Sequence, residues 1–519
     1  MFARPAIAGV LGGVLAATVV TTVAITAPPA VQAATGVTTT NRCVASVPDP
    51  ATKAPVEICF SLFRPARATK AHRVPMILHS HGWGGSRTTD PTSPEVKPYL
   101  DAGYGVLSFD QRGFGQSNGG KAYVENPDLE GRDVERLVKV VSRLKWVLQD
   151  GPGDPRIGAI GGSYGGGYQF VGAFREIADR HKQVFDALTP QITWFDLKQS
   201  LAPQSVPKSE WDLALTAAGA NALPPQVIEG LTESAATGTW SNGRVPGTVD
   251  LDAFFRRNGP KWQVSQGRHI NVPVLFGQGI TDELFPLDQG LKNWASALTP
   301  RARKRSIFIG YNGGHVLPNA YPFTVQPAGD PCSARLTGGK DFAALTVRFF
   351  DRYLKHRSVR LPGRNRFHLA TAGGTCTTVR SVAPNTTVPA GTVLTPEAAG
   401  PALATKIADG PIRIAGTSYL SGSVTALGVN NRAFYALAVG TNPVDAKVVQ
   451  GNMAPWSSEA PARGVPARIE LPSVAVDVPR GQALFVVAVA TNDMYGGFGS
   501  RTPGAVVIRN ARVSLPVVR

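Results

Sequence analysis

The segment AIGGSYGGGYQF, residues 159–170, places five glycines around Ser163. Glycine loses more conformational freedom on folding than any other residue, so this cluster indicates a sharp turn or a close backbone approach. The preceding RIGAIGG is typical of a buried strand, and the following YGGGYQFVGAFREIADRH is typical of a helix. In this context Gly161-x-Ser163-x-Gly165 predicts a strained turn that exposes the serine hydroxyl at the carboxyl edge of a sheet, beside a helix N-terminus. Ser163 is therefore the predicted nucleophile.

On either side of this turn, strand-like runs alternate with helix-like runs. The predicted strands are VPMILHS, YGVLSFD, RIGAIGG, FDALTPQIT, VPVLFGQG and RKRSIFIG, and the predicted helices are DVERLVKVVSRLKWVLQ, YGGGYQFVGAFREIADRH and KDFAALTVRFFDRYLKHR. Such alternation predicts an α/β domain with a mostly parallel sheet and helices on both faces.

The pattern changes twice along the chain. Residues 194–266 contain helix-like pieces and no clear strand, which predicts a helical cap inserted over the sheet. Beyond residue 361, short alternating apolar runs are separated by Gly, Pro and Asn, which predicts an antiparallel, jelly-roll-like β-sandwich. The predicted organisation is a catalytic domain over 34–361, including the cap, and a C-terminal β-sandwich over 362–519.

A serine nucleophile needs a base and an acid that orients the base. His315 lies in the glycine-containing loop YNGGHVLPN directly after the predicted strand SIFIG, so it is the predicted base. Asp282 follows the strand in FGQGITDELFP and completes the chain order Ser–Asp–His that accompanies this kind of turn. Glu283 and Asp288 are the alternative acids.

Stabilising an oxyanion requires backbone or side-chain donors near the serine. We expect one donor to be the backbone N–H of Tyr164, which follows the nucleophile. The second is the backbone N–H of Trp83, in the HSHGWGGS loop after the strand VPMIL. His81 is expected to brace this loop and to take no part in the chemistry.

The N-terminus combines a single charge at Arg4, a stretch of small apolar residues and a V-x-A pattern ending at Ala33. These features predict a secretory signal peptide over 1–33 and an extracellular protein; a retained membrane anchor is the alternative. No stable membrane insertion is expected after cleavage, since no later stretch is long and apolar enough to cross a bilayer.

Export permits disulfides. Cys43 and Cys59 lie symmetrically about the turn of a predicted hairpin, so we pair them. Cys332 and Cys376 then pair by elimination. No Cys-x-x-Cys occurs and no histidine lies at ligand spacing to a cysteine, so no metal is expected.

The formal net charge is +17, but lysine and arginine are spread along the chain without a dense run. Nucleic acid is therefore not an expected partner. The expected partner is a small ester or peptide substrate, and no cofactor is implied.

With these pieces placed, the sequence resembles the Xaa-Pro dipeptidyl-peptidase-like branch of the α/β-hydrolases, which includes cocaine esterase and α-amino acid ester hydrolases. The resemblance rests on a G-x-S-Y-x-G-x-x-Q pattern and a D-x-R-G-x-G-x-S pattern. These patterns correspond to Gly161, Ser163, Tyr164, Gly166 and Gln169, and to Asp110, Arg112, Gly113, Gly115 and Ser117.

The family implies an α/β-hydrolase fold and acyl-enzyme hydrolysis of ester or amide bonds. One feature departs from it. Peptidase and cocaine-esterase members carry an Arg-x-Pro-Tyr stretch whose tyrosine serves the oxyanion, and this chain has HSHGWGGS there. We therefore expect a serine hydrolase that prefers esters. A general carboxylesterase or lipase is the alternative enzyme, and a non-catalytic secreted binding protein is the alternative from another class.

Overall fold

A computed structural model of the chain describes residues 36–180, 182–318, 329–397, 400–501 and 504–519. The predicted signal peptide, 1–33, lies outside these ranges. Across the described ranges, no helix combines the length and the apolar character needed to cross a membrane.

The first domain is built on a large mixed sheet. Its described strands, together with the short hairpin formed by β5 and β6, are β1 (Val37–Ala45), β2 (Glu57–Pro65), β3 (Met76–Ser80), β4 (Gly105–Phe109), β5 (Gln149–Gly151), β6 (Asp154–Pro155), β7 (Ile157–Gly162), β8 (Ala187–Gln191), β9 (Leu275–Gly279), β10 (Ile307–Tyr311), β11 (Phe367–Ala370) and β12 (Cys376–Val379). Their order in the large sheet is β1-β2-β4-β3-β7-β8-β9-β10-β11-β12. The strands from β4 to β11 in this order run parallel, whereas β1, β2 and β12 are antiparallel to their neighbours. The predicted mostly parallel sheet is confirmed.

Helices cover both faces of this sheet, and further helices make up the insertion between β8 and β9. They are α1 (Lys97–Asp101), α2 (Glu130–Ser142), α3 (Tyr164–Arg180), α4 (Leu197–Leu201), α5 (Ser209–Ala218), α6 (Pro225–Thr237), α7 (Leu251–Phe255), α8 (Pro260–Ser265), α9 (Leu287–Lys292), α10 (Pro300–Arg305), α11 (Pro331–Thr337) and α12 (Phe342–Tyr353). One apolar core packs α2 and α3 against the sheet, and a second packs α1 and α12 against the opposite face. The segment from α4 to α8 has its own core, beside the carboxyl ends of the strands.

The second domain is an antiparallel sandwich. Its described strands are β13 (Thr386–Thr395), β14 (Leu403–Asp409), β15 (Ile412–Gly416), β16 (Tyr419–Ala426), β17 (Asn431–Gly440), β18 (Lys447–Val448), β19 (Ala454–Ser458), β20 (Ala462–Glu470), β21 (Val474–Val478), β22 (Ala483–Val489) and β23 (Val506–Leu515). One sheet has the order β13-β23-β16-β20, and the facing sheet has the order β14-β22-β17-β18 with β19 also paired to β17.

Strand β17 is buried on both faces. Tyr435 and Leu437 point into the core between the two sheets. Phe434, Ala436 and Ala438 point the other way, into an apolar cluster that includes Val206 of the cap. The sandwich is therefore packed directly against the helical insertion.

The first sheet continues past residue 361, where we expected the catalytic domain to end. β11 pairs in parallel with β10, and β12 pairs antiparallel with β11, so both strands belong to the large sheet. Each has only four residues, which gives too little alternation for a strand to be recognised from the sequence.

Both predicted cysteine pairs are disulfide-bonded in the structure. Cys43 of β1 lies directly opposite Cys59 of β2, as the hairpin symmetry predicts. The other bond joins Cys332, at the start of α11, to Cys376, at the start of β12. This second bond ties the last strand of the large sheet to the helix beneath it.

We expect removal of either disulfide to lower the stability of the folded chain through the entropy of the unfolded state. The bonded cysteines are 16 and 44 residues apart, which corresponds to about 3 kcal/mol for the shorter loop and about 4 kcal/mol for the longer. Denaturant midpoints of the Cys43→Ala/Cys59→Ala and Cys332→Ala/Cys376→Ala double variants measure this. Midpoints that stay at the wild-type value would contradict the expectation.

Candidate active site

Ser163 occupies a strained turn between β7 and α3. Its φ is +56°, in the left-handed region that side chains other than glycine rarely adopt. Gly161 also has a positive φ, and a Cβ there would lie 2.5 Å from the carbonyl oxygen of Gly165. A Cβ on Gly165 would overlap the carbonyl oxygen of Ser80 in β3. The glycines therefore let the helix pack against the neighbouring strand while the serine hydroxyl projects from the turn.

The three polar residues singled out in the sequence converge at this turn. His315 Nε2 lies 2.8 Å from Ser163 Oγ. Its Nδ1 lies 2.9 Å from Asp282 Oδ2. Asp282 is fully buried, and the imidazole retains about 13% of its side-chain exposure. The arrangement places a base between a hydroxyl and a buried carboxylate, which is the geometry that nucleophilic acyl transfer requires.

The turn after β9 holds the carboxylate of Asp282 rigidly. Its Oδ1 accepts hydrogen bonds from the backbone N–H groups of Leu284, at 2.9 Å, and Phe285, at 2.8 Å. The carbonyl oxygens of Glu283 and Leu284 face the other way and accept hydrogen bonds from the Lys208 ammonium of the cap. Burial lowers the pKa of Lys208 to about 8, and the nearby carboxylate of Asp282 opposes that lowering.

The two alternative acids do not bond to the imidazole. Asp288 lies in the first turn of α9 and pairs with Lys292 at 2.8 Å. Glu283 contributes its backbone carbonyl to Lys208, while burial raises the pKa of its carboxyl group. Among the candidate acids, Asp282 is the one that lies against His315.

The loop after β3 lies beside the serine, as expected. His81 accepts a hydrogen bond at Nε2 from the backbone N–H of Gln111 and donates through Nδ1 to the carbonyl oxygen of Gly82. Burial lowers the pKa of His81, which favours the neutral ring that this pattern needs. His81 thus braces the loop.

Trp83 connects this loop to the cap. Its indole Nε1 donates to the carbonyl oxygen of Leu215 in α5 at 2.9 Å, and its ring packs edge-on against Tyr164. Tyr164 is the first residue of α3, so its backbone N–H has no acceptor within the helix. Among the described residues, the backbone N–H of Trp83 donates to no backbone acceptor. Two unpaired N–H groups therefore lie at the positions predicted for oxyanion donors.

Two cavities meet at Ser163. The described residues form an open cleft of about 440 Å³ that holds Ser163, His315 and the loop after β3. A narrow apolar pocket of about 40 Å³ lies on the other side of the serine. It is lined by Trp83, Val124, Ser163, Tyr164, Trp194, Leu197, Leu201, Leu215, Leu223, Leu231, Phe255, Leu284 and Phe285. No carboxylate or ammonium group is among these described lining residues.

Aromatic side chains around the imidazole were not predicted from the sequence. The ring of His315 packs edge-on against Trp211 of α5, at 5.5 Å between centroids, and against Phe285, at 5.2 Å. Neither residue belongs to a recognisable spacing pattern. Phe285 could have been suspected, because it lies three residues after the predicted acid.

The D-x-R-G-x-G-x-S stretch supports the site from outside the cleft. The carboxylate of Asp110 accepts hydrogen bonds from the backbone N–H and guanidinium of Arg87. The guanidinium of Arg112 forms two hydrogen bonds to Asp133 of α2, at 2.9 and 2.6 Å. These buried pairs anchor the loop after β4 next to His81.

The fold and this arrangement define an α/β-hydrolase, and sequence comparison supports the same class. The family model described as X-Pro dipeptidyl-peptidase (S15 family) matches residues 55–316, just over half of the chain. The protein therefore belongs to this S15 family, a group of serine hydrolases that includes peptidases and esterases. No curated protein matches the chain significantly.

Solved structures share the fold over nearly the whole chain. A CocE/NonD family hydrolase from Staphylococcus aureus has a TM-score of 0.63 at 14% identity, covering 92% of this chain and 94% of that one. An aminopeptidase from a marine sediment Thaumarchaeota archaeon has a TM-score of 0.66 at 13% identity, covering 93% and 96%. An α-amino acid ester hydrolase has a TM-score of 0.64 at 14% identity, covering 95% and 98%. The predicted α/β-hydrolase with a C-terminal sandwich is confirmed.

We expect Gly165→Ala to destabilise the protein, because the added methyl group would meet the backbone of β3. Overpacking of this kind costs about 1–3 kcal/mol. Gly131 of α2 is a matched control, since a Cβ there meets no atom closer than 3.4 Å. Thermal unfolding midpoints should fall for Gly165→Ala and stay level or rise for Gly131→Ala. Equal midpoints for the two variants would contradict this account of the turn.

Proposed function

We propose that the protein is a secreted serine hydrolase that cleaves esters of small apolar acyl groups through an acyl-enzyme intermediate. The observation that carries the proposal is the chain of contacts from Ser163 through His315 to Asp282, next to two unpaired backbone N–H groups. Secretion is supported by the signal-like residues 1–33 and by the two disulfides.

In the proposed reaction, Ser163 Oγ attacks the substrate carbonyl while His315 Nε2 takes the hydroxyl proton. The resulting oxyanion accepts hydrogen bonds from the N–H groups of Trp83 and Tyr164. The imidazolium, stabilised by Asp282, then gives its proton to the leaving group as the carbon–oxygen bond breaks. Water repeats the sequence with the acyl-enzyme and releases the acid, which restores the serine.

The pocket beside Ser163 supports an apolar acyl group. A substrate with a free α-ammonium group would need a carboxylate to receive it, and the described residues of this pocket supply none. The carboxylate of Glu95 lines the open cleft instead, on the other side of the serine and beside His79. The apolar pocket's volume of about 40 Å³ favours short acyl chains.

The oxyanion donors support esters over prolyl amides. The described lining of the open cleft includes no tyrosine. The Tyr164 hydroxyl is buried without a partner among the described residues. One hydroxyl donor to the oxyanion stabilises a tetrahedral intermediate by roughly 3 kcal/mol, and this site would lack that contribution. Esters tolerate this better than amides because an alkoxide leaves more readily than an amide anion.

We expect Ser163→Ala to abolish both hydrolysis of p-nitrophenyl acetate and labelling by a fluorophosphonate. Loss of an activated serine lowers kcat by roughly 10⁶-fold. The exposed Ser205 provides a control, and Ser205→Ala should label like the wild type. A wild-type protein that fails to label would favour the non-catalytic binding protein, and a Ser163→Ala variant that still labels would remove Ser163 from the mechanism.

Substrate preference is tested on one preparation with a series of p-nitrophenyl esters and an aminoacyl-prolyl p-nitroanilide. After correction for intrinsic reactivity, kcat/KM should be highest for acetyl and propionyl esters and should fall for longer chains. The prolyl anilide should be the slower class. A faster prolyl anilide would replace the esterase proposal with a dipeptidyl-peptidase, and a preference for long chains would favour a lipase.

A further inference from the structure

One turn of the C-terminal sandwich reaches the loops that carry the acid and the histidine. It comprises Gln450, Gly451 and Asn452, between β18 and β19. Gln450 and Gly451 both have positive φ, +54° and +82°, so the chain reverses sharply there. The side-chain amides of the flanking Gln450 and Asn452 both bond to the first domain.

Asn452 holds the backbone of the turn over residues 282–285, which carries the predicted acid Asp282 and is called the acid turn below. Its side-chain amide donates to the carbonyl oxygen of Asp282 at 3.0 Å and lies 3.4 Å from that of Ile280, and the residue is only about 6% exposed. The peptide groups of this turn are thus divided between two directions. The N–H groups of Leu284 and Phe285 point toward the carboxylate of Asp282, while carbonyl groups point outward to Asn452 and to the Lys208 ammonium.

Gln450 holds the histidine loop. Its Nε2 donates to Asn312 Oδ1 at 3.0 Å and to the carbonyl oxygen of Ala370 at 3.2 Å. Its Oε1 accepts from the backbone N–H of Ala475 at 3.0 Å, so the side chain is fixed at both ends. Asn312 lies three residues before His315, on the same loop.

We propose that the turn 450–452 positions Asp282 and His315 relative to each other, which makes the C-terminal domain part of the scaffold of the active site. The inference rests on the proposed function. Asn452 bonds to the carbonyl group of Asp282 itself, so loss of this bond would free the backbone from which the carboxylate projects toward the imidazole. Asn452 and Gln450 touch neither the serine nor the cleft, so they are positioning residues.

The competing explanation is that these amides only attach the two domains. The two explanations differ in how Asn452 couples to Asp282. If Asn452 acts by orienting the carboxylate of Asp282, its replacement should lower the reaction rate only when that carboxylate is present. If it only attaches the domains, its effect should be the same with or without the carboxylate.

The experiment is a double-mutant cycle with Asn452→Leu and Asp282→Asn, measured by kcat and KM for a short p-nitrophenyl ester and by the rate of fluorophosphonate labelling. Asn452→Leu alone should lower kcat about tenfold to a hundredfold with little change in KM, because a displacement of about 1 Å can cost about 10²-fold. In the Asp282→Asn background, the same substitution should change the rate by less than about twofold.

Asn431 supplies a matched control. It is about 1% exposed, and its side-chain amide donates to two carbonyl oxygens of its own domain, at 2.7 and 3.4 Å. Asn431→Leu should lower the thermal midpoint about as much as Asn452→Leu, while its kcat stays at the wild-type value.

Each outcome bears on a different claim. Equal losses of kcat in the Asn431 and Asn452 variants, or an Asn452 effect that persists at full size in the Asp282→Asn background, would overturn the positioning role while the proposed function stands. A wild-type protein that neither labels nor hydrolyses esters would overturn the proposed function, and the positioning role with it.

Discussion

The left-handed backbone of Ser163 is the constraint on which the rest of the candidate active site depends. It allows the chain to change from β7 to α3 within one residue, and this change aims the hydroxyl out of the sheet. The same sharpness brings α3 against β3, so positions 161 and 165 have no room for a side chain. Strain at this point is offset by the packing of the helix against the strand.

The other groups of the site come from separate parts of the chain and meet only in the fold. The sheet supplies the loops that carry Asp282 and His315, the cap supplies Lys208 and the aromatic wall of Trp211, and the sandwich supplies Asn452. The N–H groups of the acid turn point toward the carboxylate of Asp282, so its carbonyl groups point away from it. These carbonyl groups would be buried without hydrogen-bond partners if the cap and the sandwich did not donate to them. The large-sheet domain, the cap and the sandwich therefore together supply the hydrogen-bond partners of the turn that carries Asp282.

Local patterns predicted much of this molecule, and their limits have a physical cause. The glycines around Ser163, the order of the polar residues along the chain and the symmetry of the first cysteine hairpin are short-range signals, and the structure brings the corresponding groups together. Lys208 and Asn452 gave no such signal. Each acts through a side-chain bond to a distant backbone carbonyl, which any lysine or asparagine can make, so nothing in the sequence distinguishes them. Strands β11 and β12 were missed because four residues are too few to show a period.

The alternating alanines of β17 bear on how such a protein can change over evolutionary time. A strand with one apolar face can belong to a module that is gained or lost as a unit, but β17 is apolar on both faces, and the face with Phe434, Ala436 and Ala438 lies against the cap. A gene shortened to its first domain would leave the cap side of that contact open to water, and a sandwich expressed alone would present a sticky aromatic surface. Each half therefore covers apolar surface of the other, and a substitution on one side of the contact changes what the other side must pack against, even though the sequence reads as two separate architectures.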